Sequence, residues 1–140
     1  MKDVVSCQIQ HNGNKWRVLS AYFSSSLKRA KSDCLISSLE SLFNRYRLQN
    51  LIVTGDFNAS NPDWSFHNDN SHVTARGYKL ANLFSARNLE VINKLPPANH
   101  TFEANDSKSW IDVALCMKNL NDIICEIIVN DWKPSDHRYV

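Results

Sequence analysis

Glycine and proline are scarce in this chain, three and four among 140 residues. There is accordingly no repeat, linker or low-complexity tract, and each glycine is expected to serve a local purpose: Gly13 in a turn, Gly55 at a strand end and Gly77 at a helix start. Long apolar runs are also missing. None approaches the roughly 18 residues that a membrane span needs, and Met1-Lys2-Asp3-Val4-Val5-Ser6-Cys7 lacks the basic-then-apolar layout of a signal peptide. No membrane partner is expected. The four cysteines (Cys7, Cys34, Cys116, Cys125) show no C-x-x-C spacing, which argues against a zinc site. Three of them fall in apolar strand- or helix-like segments and read as reduced, buried thiols, which favours an intracellular compartment. A large charge of one sign is lacking too: a formal net charge of +2 does not by itself mark a nucleic-acid binder.

What is present describes an ordinary globular domain, with 43% hydrophobic and 21% charged residues. A chain of this length reads as one domain over 1–140, able to bury roughly two thirds of its unfolded surface. Asp3 to Gln10 and Lys15 to Phe23 alternate as strands around His11-Asn12-Gly13-Asn14, where Asn-Gly favours a tight hairpin turn. From Ser26 to Leu48, the residues Leu35, Leu39, Leu42, Phe43 and Tyr46 recur at helical spacing, with Ser24, Ser25 or Ser26 available as cap. Lys28, Arg29, Lys31, Arg45 and Arg47 form that helix's solvated face or, as the alternative, contact phosphates. Leu51 to Thr54 is an apolar strand covered on both faces. A polar loop follows from Asn58 to Val73, with Trp64 and Phe66 as packing anchors or as an aromatic wedge for DNA. A second helix spans Arg76 to Asn88, and strands are expected at Leu89 to Asn93, His100 to Ala104 and Trp110 to Cys116. A turn at Lys118 to Asp122 leads into a last strand, Cys125 to Val129. Strands and inserted helices in this order predict a layered α/β domain.

Three clusters can carry chemistry. In Leu51-Ile52-Val53-Thr54-Gly55-Asp56-Phe57-Asn58-Ala59 an acid and an amide follow an apolar strand. They share a face if the extended backbone continues past Gly55, with Phe57 turned into the core. Such a pair can orient a water and donate a hydrogen bond to an anion, or can merely cap the following loop. Asp112 sits in the otherwise apolar Trp110-Ile111-Asp112-Val113-Ala114-Leu115. A buried carboxylate there calls for a partner, a histidine being the obvious one; at a strand end it would face solvent instead. Ser135-Asp136-His137 offers an imidazole and a further carboxylate. His11, His67 and His72 lie in a turn or loop without metal-ligand spacing.

Taken together, G-D-F-N, then S-W-I-D-V, then S-D-H resembles the endonuclease/exonuclease/phosphatase superfamily. Trp64, Arg76-Gly77, Thr101-Phe102 and Ser109-Trp110-Ile111-Asp112-Val113 narrow the likeness to the endonuclease domains of non-LTR retrotransposons. The resemblance implies a deoxyribonuclease-like four-layer α/β sandwich that cuts DNA phosphodiesters with Mg²⁺ or Mn²⁺, acts in the nucleus, and is fused to a reverse transcriptase in the full gene product. By position, Tyr22 is directed at the scissile phosphate. Asp56 orients or deprotonates the attacking water, and Asn58 bonds the phosphoryl oxygens. Asp112 pairs with His137, which faces the phosphate, while Asp136 lies by the metal. The family also carries an asparagine and a metal-binding glutamate on strands upstream of the tyrosine. This chain starts almost at the tyrosine strand, and Glu40 lies in a helical context. The expectation is therefore the C-terminal part of such a domain, with an exposed apolar flank prone to association. Two other readings stay open: a remnant that no longer cuts but still folds or binds DNA, and a phosphoesterase with another substrate.

Overall fold

An Asn-Gly turn organises the first two strands of this computed structural model, which describes residues 3–46, 50–65, 73–93, 100–104 and 107–118. Asn12 and Gly13 both take positive φ, 48° and 78°, the combination a two-residue hairpin of matching twist requires. They join β1 (Val4–His11) to β2 (Asn14–Tyr22) in antiparallel register, His11 facing Asn14. Helix α1 (Arg29–Arg45) crosses over to β3 (Asn50–Asp56), which pairs parallel to β2. Helix α2 (Ala75–Ser85) leads to β4 (Leu89–Val91). A short hairpin of β5 (Phe102–Ala104) and β6 (Ser107–Ser109) then precedes β7 (Asp112–Met117). The main sheet has the order β1-β2-β3-β7-β4, with β7 inserted antiparallel between β3 and β4.

Alternation along these strands assigns two faces. Leu19 and Ala21 of β2, Leu51 and Val53 of β3, and Val113 and Leu115 of β7 are buried with Leu39 and Phe43 of α1 and Leu80, Leu83 and Phe84 of α2. Beyond the end of β3, Phe57 is fully buried between Phe23 and Phe84, each ring centre 5.5 Å away. Trp64 settles as a packing anchor, 6.0 Å from Phe84, with its indole N–H donated to the Ala59 carbonyl at 3.0 Å. Phe66 lies outside the described residues. On the opposite face β1 exposes apolar side chains, Val5 by 66% and Ile9 by 50%, a patch of the kind that favours association. Among the described residues no helix is long and apolar enough to cross a membrane.

Several expectations need correction. Helix α1 starts at Arg29, not near Ser26, because Ser24 is spent on the turn before it, accepting from the Ser26 and Leu27 amides; the N-cap is Lys28, without a side-chain cap bond. Cys7 and Cys34 are exposed, since β1 turns its free face to solvent and Cys34 lies on the outer side of α1; of the described cysteines only Cys116 is buried. There burial pushes the thiol pKa up, with the Glu90 charge adding to the shift. Cys125 and the expected last strand lie outside the described residues. Gly55 does not end β3 but lets it run on. An ideal Cβ at Gly55 would stand 1.9 Å from the Ala21 carbonyl oxygen, and its φ is +154°.

Gly55→Ala should therefore destabilise the fold by on the order of 1–3 kcal/mol through this backbone clash. A urea titration should show a lowered midpoint with unchanged slope. An unaltered midpoint would mean that the close approach is not required.

Candidate functional site

The run of β3 past Gly55 aligns three sequence-predicted residues. Tyr22 is the register partner of Asp56, and Asp56 is the register partner of Asp112. Paired residues on neighbouring strands share a face, so Tyr22, Asp56 and Asp112 form a row across β2, β3 and β7, on the face away from the helices. Tyr22 is 54% exposed, while both carboxylates are half-buried. Asp112 is the first residue of β7, so it stands at the mouth of the sheet and not within its apolar interior.

Asn58 joins this row by a different route from simple alternation. Extended structure stops at Asp56, and Asn58 takes φ 42°, a left-handed conformation that asparagine tolerates better than most residues. Its backbone N–H donates to Asp56 Oδ1 at 2.9 Å. Its side-chain Nδ2 donates to Oδ1 at 2.8 Å and to Oδ2 at 2.9 Å. The acid and amide therefore act as one unit. Asn58 orients the Asp56 carboxylate through these three donated bonds. The expected bond from Asn58 to a phosphoryl oxygen would have to compete with these.

The backbone around the row is fixed by side chains the sequence did not single out for a role. Thr101 is fully buried, and its hydroxyl oxygen accepts the N–H groups of Ile111 and Asp112, both at 3.1 Å. Asn93 brackets the same strand, donating to the Asp112 carbonyl at 2.9 Å and accepting from the Ala114 N–H at 3.0 Å. The Phe57 N–H donates to the Ile111 carbonyl at 2.9 Å, and the Phe23 N–H to the Asp56 carbonyl at 2.8 Å. Arg76, in the first turn of α2, donates to the Phe57 and Asn58 carbonyls at 3.2 Å each. Burial lowers the Arg76 pKa from its ordinary value and the Asp56 charge opposes that, so the group stays cationic. Arg76-Gly77 and Thr101-Phe102 were visible as motif residues; nothing local in the sequence marks Asn93. His100, buried against Trp110, is hydrogen-bonded to Glu103 Oε2 at 2.8 Å.

Asp136 and His137 lie outside the described residues, as do Arg47, His67 and His72. Lys28, Arg29, Lys31 and Arg45 are exposed, as expected of a solvated face. Among the described residues no group of three or more His, Cys, Asp or Glu could hold a metal ion. Asp56 and Asp112, register partners on adjacent strands, are carboxylates of the kind Mg²⁺ takes one or two at a time while keeping several waters.

With this geometry in place, the fold can be compared with those of solved structures, among them the following three. The endonuclease domain of TRAS1, a telomere-specific non-LTR retrotransposon, superposes with a TM-score of 0.81 at 22% identity, covering 97% of this chain and 60% of that one. A D. rerio TDP2 humanized by 14 mutations gives a TM-score of 0.52 at 15% identity, covering 81% of this chain and 44% of that one. A mannosyl-6-phosphatase of Bacteroides thetaiotaomicron gives 0.56 at 16% identity, covering 91% and 50%. This chain thus spans at most 60% of the length of these three structures. No curated protein sequence matches it. The architecture is the deoxyribonuclease-like α/β sandwich, and the class is the endonuclease/exonuclease/phosphatase superfamily. Within that class, residues 16–140 match the family model described as endonuclease-reverse transcriptase, and the chain belongs to that family.

The Thr101 hydroxyl yields a prediction. Thr101→Val keeps the volume but strips the buried Ile111 N–H and the part-buried Asp112 N–H of their acceptor, and should cost about 1–3 kcal/mol in a denaturant titration. Thr101→Ser should recover most of it. Equal stability of the valine and serine variants would contradict the assignment.

Proposed function

We propose that this chain is part of a phosphodiesterase, an endonuclease that nicks DNA for a non-LTR retrotransposon. The observation that carries the reading is the row of Tyr22, Asp56 and Asp112 with Asn58 bonded to both carboxylate oxygens of Asp56. A phosphodiester backbone lies naturally along such a mouth, with the Tyr22 phenol available to donate to a phosphoryl oxygen. The Asp56 carboxylate, held in place by Asn58, orients a water and takes its proton as the water oxygen bonds to phosphorus and the bond to the leaving 3′ or 5′ oxygen breaks. Asp112 is assigned to His137, whose imidazolium would stabilise charge on the phosphoryl group. The divalent cation implied by the family, Mg²⁺ or Mn²⁺, together with Asp136, belongs to this reading as an expectation, and no step above runs through it. Fusion to a reverse transcriptase and action in the nucleus are further parts of the proposal.

A second reading, a phosphoesterase with another substrate, is favoured by the shared fold of the TDP2 and mannosyl-6-phosphatase structures. The row of residues would serve any phosphate ester, since none of them selects the leaving group.

Supercoiled plasmid separates these readings. The full coding product of the gene should nick it with Mg²⁺, stop in EDTA, and lose about 10²–10⁴-fold in rate on Asp56→Ala. Absence of nicking by the full product, with turnover of a small phosphomonoester, would favour the second reading. Inactivity on both would favour a non-catalytic domain.

A further inference from the structure

Arg76 sits at the N-terminal end of α2, and its donors reach both loops that leave the strands bearing the row. Its Nη1 donates to the consecutive carbonyls of Phe57 and Asn58, each at 3.2 Å. Its Nη2 donates to the Ser24 carbonyl at 3.4 Å, two residues beyond Tyr22. Its Nε donates to Ser32 Oγ of α1 at 3.1 Å, and the guanidinium carbon lies 5.8 Å from the centre of the Phe23 ring. Two consecutive carbonyls aimed at one point repel each other unless a cation stands there, and Phe57 and Asn58 present that arrangement where Asn58 takes φ 42°.

We infer that Arg76 is a positioning residue: by tying the Phe57 and Asn58 carbonyls to the β2 exit and to α1, it holds the turn in which Asn58 grips the Asp56 carboxylate. The role in turnover rests on the phosphodiesterase reading; the role in the turn does not. Arg76 is not a DNA-contacting residue, because four of its five N–H groups already have protein acceptors. The planar fork matters as much as the charge. A lysine ammonium is a compact point donor on a flexible stem and cannot serve Ser24 and Phe57–Asn58 together with Ser32. No motif logic predicts this assignment. It comes from α2 placing its first turn against the loops after β2 and β3, with Gly77 allowing the approach: a Cβ there would stand 2.0 Å from the Ser60 carbonyl oxygen.

The test pairs hydrogen exchange with kinetics on Arg76→Lys and Arg76→Gln. The Asn58 backbone amide, donated to Asp56, should exchange roughly tenfold faster or more in both variants, while the amides of Val53 and Leu115 in the ladders keep their protection. In the full coding product, kcat for plasmid nicking should fall about tenfold or more with KM nearly unchanged, as for loss of alignment rather than of binding. Guanidinium added to Arg76→Ala should restore part of the rate. Unchanged exchange at Asn58 would overturn the inference. So would equal loss of protection across β3, or failure of both variants to fold, since either marks a merely structural arginine. A KM effect at constant kcat would overturn it in favour of direct substrate contact. A wild type that does not nick removes the phosphodiesterase reading, and the exchange arm then still decides what Arg76 does to the turn.

Discussion

Where β3 passes Ala21 there is no space for a side chain, since a Cβ on Gly55 would stand 1.9 Å from the Ala21 carbonyl oxygen. The geometry of the site depends on that approach. It lets the parallel ladder continue to its last pair, Tyr22 with Asp56, and the antiparallel ladder on the other edge of β3 to its last pair, Asp56 with Asp112. Strand pairing is discrete, so a slip of one residue on β3 would carry Asp56 to the helix side and bring Phe57 onto the open face. Burial of Phe57 between Phe23 and Phe84 opposes that slip. Packing beneath the sheet and chemistry at its mouth are thus set by the same few residues.

Beyond Asp56 the chain gives up the ladder, and hydrogen bonds take over its work. Three donated bonds from Asn58 orient the carboxylate, and Arg76 holds the carbonyls on the far side of the same turn. Thr101 and Asn93 do the equivalent for Asp112, one on its N–H and the other on its carbonyl. A carboxylate with fixed neighbours loses little entropy when substrate arrives, which is how preorganised polar sites outperform water. Two helices, the loops after β2 and β3, and the β5–β6 hairpin therefore all bear on one row of side chains.

Much of this was legible in the sequence, and for identifiable reasons. Asn12-Gly13 announced a hairpin because few other pairs accept positive φ twice. The Leu39 and Phe43 spacing announced α1, and the apolar run before Gly55 announced β3. The roles that the resemblance gives to Tyr22, Asp56 and Asp112 require them to stand together, and the register makes them neighbours across three strands. What failed were features that depend on partners distant in sequence. Ser24 looks like a helix cap until its turn is seen, Cys7 looks buried until its strand is found with one face open, and Gly55 looks like a terminator until β2 is placed beside it. The Asp56–Asn58 pair was expected on one face by alternation, yet the two meet through a left-handed turn. Arg76 and Asn93 act on residues 18 or more positions away, and periodicity does not reach so far.

The central claim is that the row formed by Tyr22, Asp56 and Asp112, with Asn58, receives a phosphodiester. An amide chemical-shift titration of the ¹⁵N-labelled full coding product with a dithymidine phosphorothioate, a slowly cleaved diester, tests it most directly. The account predicts saturable shifts concentrated at Tyr22, Asp56, Asn58 and Asp112, weakened in Asp56→Ala. Saturable shifts confined to the basic face of α1 or to the exposed Val5 and Ile9 face of β1, with the row unmoved, would contradict it.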